Sequence, residues 1–121
     1  MKILVVDDSS TMRRLIINLL SSKVGNIEFH EAEDGKEAVM KFKEQPFDVI
    51  FMDMFMPNMN GVDAVKKIRL NDKKVKIIMV TTNVDKNNIL MALKAGVNNY
   101  VVKPFTSEFL LQKFQDTLSR Q

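Results

Sequence analysis

Apolar residues gather in short unbroken runs at Ile3 to Val6, Val49 to Met52, Ile77 to Val80 and Tyr100 to Val102. A run without polar interruption suits a strand covered on both faces, whereas a strand with one face in water alternates. The stretch Ile27, Glu28, Phe29, His30, Glu31, Ala32 does alternate, which predicts a fifth strand near the sheet edge. Between the runs the spacing becomes helical. Met12, Leu15, Ile16, Leu19 and Leu20 fall on one stripe, with Arg13, Arg14, Asn18 and Ser21 on the other side. Ala38, Val39 and Phe42 mark a second helix, opened by Asp34 with Glu37 in a capping-box arrangement. Val62, Val65 and Ile68 mark a third. Residues 84–95 form a fourth, closed by Gly96 where a left-handed cap costs least. Leu110, Leu111, Phe114 and Leu118 mark a fifth.

Strand and helix thus alternate five times. That order forces parallel strands, right-handed crossovers and helices on both faces of the sheet. With the alternating strand at an edge, the expected fold is a doubly wound, flavodoxin-like α/β domain of strand order 2-1-3-4-5. Ligands in such sheets bind beyond the strand C-termini at the switch point, here between the first and third strands. Asp7-Asp8 and Asp53 stand there, with Met56-Pro57 and Asn60-Gly61 following.

Composition narrows the picture. The 121 residues are 45% hydrophobic and 27% charged, so a single globular domain over residues 1–121, with no output domain, is expected. There is no cysteine, so disulfides, thiolate catalysis and thiolate zinc sites are excluded. The longest apolar run, Ile89 to Leu93, is far below the roughly 20 residues of a membrane span. Acids follow Ile3 to Val6, so no secretory core is present, and a cytoplasmic location is expected. The net charge is +3, but Arg13-Arg14, Lys66-Lys67-Arg69 and Lys73-Lys74-Lys76 are scattered without interleaved aromatics. They are expected on solvated faces, with no nucleic-acid or membrane partner.

Three carboxylates in one crevice repel one another and need a cation. Hard oxygen donors suit Mg²⁺, which takes one or two direct carboxylates alongside phosphate oxygens. Lys103 ends the fifth strand and Thr81 the fourth, adding an amine and a hydroxyl at the same rim. This set can hold a phosphoryl group on Asp53 acting as nucleophile. A Mg²⁺-dependent phosphohydrolase using an aspartyl phosphate would carry a second acid two residues later, where Phe55 stands. A nucleotide binder would need a Gly-rich loop in place of Asp7-Asp8. His30, on the second strand, takes no part.

Val5-Val6-Asp7-Asp8-Ser9-Ser10-Thr11-Met12-Arg13-Arg14, Asp53-x-x-Met56-Pro57-x-x-x-Gly61, Met79-Val80-Thr81 and Tyr100-Val101-Val102-Lys103-Pro104-Phe105 together resemble the receiver domains of two-component response regulators, nearest to those of chemotaxis. The resemblance covers essentially the whole chain. It implies a signalling protein rather than an enzyme, in which Asp53 accepts phosphate from a histidine sensor kinase. It implies Mg²⁺ bound by Asp8 and Asp53, by Asp7 largely through water, and by the backbone carbonyl of Phe55. Thr81 and Lys103 would contact the phosphoryl group, Tyr100 would report on it with Thr81, and Lys103-Pro104 would be cis.

The fourth helix is apolar around most of its circumference, more than one sheet face can cover. Ile89, Leu93, Tyr100, Val102, Phe105 and Lys113 are therefore expected to form a mixed apolar and basic docking face. The resemblance makes a flagellar motor switch protein its partner, with a phosphatase as a second partner and the chain a monomer. A phosphorelay shuttle passing phosphate to a histidine phosphotransfer protein uses the same pocket. Phe55, Thr82 and Asn83 depart from the usual residues around it and bear on the lifetime of the phosphoryl group.

Overall fold

The computed structural model describes residues 1–82 and 85–120. Five strands and five helices alternate: β1 (Lys2–Val6), α1 (Ser10–Lys23), β2 (Glu28–Ala32), α2 (Gly35–Glu44), β3 (Val49–Asp53), α3 (Gly61–Arg69), β4 (Lys76–Thr81), α4 (Lys86–Ala95), β5 (Asn99–Val102) and α5 (Ser107–Ser119). The sheet is parallel, in the order β2-β1-β3-β4-β5 expected from the sequence. β3 is buried along its whole length, as its unbroken apolar run requires. β2, at the edge, is buried only at Ala32.

Because side chains alternate along a strand, the sheet sorts its apolar residues onto two faces. Leu4, Val6, Ile50, Met52, Ile77 and Met79 pack with Ala38 of α2, Val65 and Ile68 of α3 and Ala92 of α4. Ile3, Val5, Val49, Phe51, Ile78, Val80 and Val101 pack on the other face with Ile16 and Leu20 of α1 and Leu110 and Phe114 of α5. Phe51 and Phe114 stack across this second layer with centroids 6.0 Å apart.

Each helix begins at a side chain that accepts from a backbone N–H in its first turn: Ser9, Asp34, Asn60, Asp85 and Thr106. Gly96 ends α4 in the left-handed conformation, φ 117°, as anticipated. α4 begins at Lys86 rather than at residue 84, which lies outside the described residues, because Asp85 supplies its cap. Leu15, assigned to the apolar stripe of α1, is 43% exposed. No helix among the described residues is long and apolar enough to cross a membrane.

Candidate functional site

Strand register builds the site. Val6 of β1 pairs with Met52 of β3, so Asp7 and Asp53, the next residue on each, emerge side by side. Asp53 pairs with Val80, which brings Thr81 one step further along β4, and Thr81 pairs with Val102, which brings Lys103 to the same rim. The carboxylates of Asp7, Asp8 and Asp53 have oxygens within 4.8 Å of one another. Asp7 and Asp53 are buried, Asp8 is exposed, and Thr81 is buried with its carbonyl accepting from the Lys103 N–H at 2.8 Å.

Lys103 reaches into the cluster. Its Nζ donates to Asp7 Oδ2 at 2.8 Å and lies 3.5 Å from Asp53 Oδ1. Asp7 Oδ1 accepts from the Ser9 N–H at 2.9 Å, so the carboxylate that flanks Asp53 is held at both oxygens. Burial pushes the Asp53 carboxyl up to about 6, the Asp7 charge adds to the shift, and Lys103 opposes it. One ammonium is too little positive charge for three acids. The Lys103–Pro104 peptide is cis.

The loop after β3 is braced from two sides. A Cβ on Gly61 would stand 2.1 Å from the Asp53 carbonyl oxygen, so only glycine lets α3 start this close to the end of β3. Asn58, at φ 67°, donates through Nδ2 to Asp34 Oδ2 at 2.7 Å, and the Gly35 N–H donates to the Met59 carbonyl at 3.1 Å. Asp34 caps α2 through its other oxygen, so one side chain ties two loops together. Phe55, in the braced loop, is 55% exposed. His30 stands apart on β2, 2.6 Å from Glu28.

The donor set fits a hard divalent cation: three carboxylates on one small area, with no nitrogen or sulfur ligand among the cluster.

A family model for the response regulator receiver domain matches residues 3–115. The chain belongs to this family. It is 50% identical to the chemotaxis protein CheY homolog of Campylobacter jejuni, covering 98% of this chain and 92% of that one. The chemotaxis protein CheY1 of Helicobacter pylori is also 50% identical, covering 98% of this chain and 97% of that one. Among solved structures, Vibrio cholerae CheY4 superposes with a TM-score of 0.88 at 35% identity, covering 96% of this chain and 97% of that one. The receiver is thus of the chemotaxis CheY type, a class of signalling proteins rather than classical enzymes, whose acidic pocket binds Mg²⁺. The strand order is that of flavodoxin and of CheY itself, so it travels with the family rather than standing apart from it.

α4 buries only Ala92 fully and leaves Leu90, Met91 and Leu93 exposed at 52%, 52% and 43%. Ile89, Tyr100, Val102 and Phe105 are half-buried. Lys113 Nζ lies 5.6 Å from the Tyr100 ring centroid and 5.3 Å from that of Phe109. Phe109, which shares Lys113 with Tyr100, belongs with this surface although its spacing gave no sign of it. Asn83 lies outside the described residues, and Thr82 beside it is exposed.

Two basic residues expected in solvent are instead tied down. Arg69 donates to the Gly96 carbonyl and to Asn98 Oδ1, both at 2.9 Å, clamping the end of α3 to the end of α4. Arg13 turns toward β1 and β2, with its side chain only 11% exposed.

Proposed function

We propose that the chain is a phosphorylation-dependent chemotaxis switch, with Asp53 as the acceptor. The observation that carries this is the position of Asp53: buried beside Asp7, within reach of the Lys103 ammonium, and at the C-terminal rim of a receiver sheet. Mg²⁺ would be held by Asp7, Asp8 and Asp53 with the backbone carbonyl of Phe55. When bound it supplies positive charge to the transferring phosphoryl oxygens.

An Asp53 carboxylate oxygen attacks the phosphorus of a kinase phosphohistidine. The P–O bond forms, the P–N bond breaks, and its electron pair leaves with the imidazole. Lys103 balances the charge gained at Asp53, and the Thr81 hydroxyl donates to a phosphoryl oxygen. The raised proton affinity of Asp53 states the same electrostatics in the resting site: an anion there is costly until cations offset it.

Tyr100 reports the event. It sits on β5 one strand away from Thr81, with Lys113 over its ring, so a shift of Thr81 reaches the docking face through two paired strands. That face, Ile89, Leu93, Tyr100, Val102, Phe105 and Lys113, takes the flagellar motor switch protein, while a histidine sensor kinase supplies the phosphate and a phosphatase removes it. Titrating the motor switch protein's receiver-binding segment against this chain, with Mg²⁺ and with or without beryllofluoride, tests the reading. Tighter binding with beryllofluoride supports it, and equal affinity in both states contradicts it.

A further inference from the structure

Arg13, in the first turn of α1, bridges two parts of the fold that the acid pair depends on. Its Nη1 donates to the Asp7 backbone carbonyl at 2.6 Å, and its Nε donates to Glu31 Oε1 at 2.9 Å. Glu31 lies on β2, paired in register with Val5 of β1. Its own carbonyl accepts from Lys41 Nζ, and Lys41 in turn pairs with Glu37 on α2 at 3.3 Å. The guanidinium is therefore anchored to an edge strand that α2 also holds. The carbonyl it grips belongs to the peptide that joins Asp7 to Asp8. A guanidinium is a rigid planar fork, so its two bonds fix direction as well as distance.

We propose that Arg13 is a positioning residue for the metal ligands: pinned by Glu31, it fixes the Asp7–Asp8 peptide and so the directions from which the two carboxylates meet a divalent cation. The inference rests on the reading above that the cluster binds Mg²⁺. Groups that orient metal ligands without touching the metal typically change affinity by 10- to 100-fold when removed. A role through charge alone has the opposite sign. Taking a cation away from beside three acids would tighten Mg²⁺ binding, and a lysine in its place would change nothing.

Calorimetric titration of Mg²⁺ into the full chain separates the two, using the wild type, Arg13→Lys, Arg13→Ala and Glu31→Gln, each checked for folding by urea denaturation. Arg13→Lys is expected to weaken Mg²⁺ by about tenfold despite keeping the charge. Arg13→Ala weakens it at least as much, and Glu31→Gln weakens it less but in the same direction. In acetyl phosphate assays the Mg²⁺ midpoint for Asp53 phosphorylation moves by the same factor, and excess Mg²⁺ recovers most of the lost rate. Unchanged affinity in Arg13→Lys, or tighter binding in Arg13→Ala, overturns the proposal and leaves the metal reading standing. A wild type that binds no Mg²⁺ overturns both. If Arg13→Ala does not fold, Arg13→Lys and Glu31→Gln decide the matter.

Discussion

The Lys103 ammonium is bonded to Asp7, at 2.8 Å, more closely than to the proposed acceptor. It is thus held ready by a neighbouring carboxylate, and it offsets the most deeply buried acid of the cluster. That arrangement makes Lys103 a competitor of the metal and a helper of the phosphoryl group at the same time.

Lys103→Met therefore separates two quantities. Mg²⁺ binding should tighten several-fold, because a like charge leaves the site. Phosphorylation of Asp53 by acetyl phosphate should slow by about a hundredfold, because a donor aimed at the developing charge is lost. Calorimetry and initial rates check the two effects. A parallel fall in both would mean that the lysine serves only to hold the loops in place.

The carboxyl of Asp53 makes stability depend on pH. Its affinity for protons is raised on folding, from 3.8 to about 6, so the folded state binds more protons across that window. The contribution of this one carboxyl is then most favourable below 3.8 and is lost as pH rises through 6, by at most about 3 kcal/mol. Asp53→Asn removes the penalty. In EDTA at pH 8 it should be the more stable protein by up to that amount, and the difference should vanish near pH 3.5. Urea denaturation across this range checks it, and a constant difference at every pH would show that Asp53 ionises freely in the folded state.

Gly61→Ala should destabilise the chain by about 2 kcal/mol or more, since the added methyl meets the Asp53 carbonyl oxygen at 2.1 Å and neither backbone can retreat without moving Asp53. Urea denaturation gives the loss directly. Wild-type stability in this variant would mean that the start of α3 is less tightly seated on β3 than the structure shows.

Much of the site was legible in the sequence because topology did the placing. Unbroken apolar runs fixed which segments were central strands, parallel order put all their C-termini on one rim, and Asp7, Asp8, Asp53, Thr81 and Lys103 each follow or end such a run. What escaped depends on directions in three dimensions. Helical periodicity puts Arg13 on the polar side of α1, and only the fold shows that this side faces the Asp7 carbonyl. Arg69 read as one of a basic cluster, yet its partners are Gly96 and Asn98, brought to it by the packing of α3 against α4. Leu15 fits the apolar stripe by spacing, but α1 buries a narrower stripe centred on Ile16 and Leu20. Asp85 caps α4 and sets its start at Lys86, a signal that apolar spacing alone did not carry.

The most direct measurement is the intact mass of the full chain after incubation with acetyl phosphate, with Mg²⁺ or with EDTA. Mg²⁺-dependent transfer to Asp53 predicts one added phosphoryl group in Mg²⁺, its loss on brief acid or base treatment, and no addition in EDTA or in Asp53→Asn. A phosphoryl group that persists in Asp53→Asn, or that forms equally well in EDTA, would contradict it.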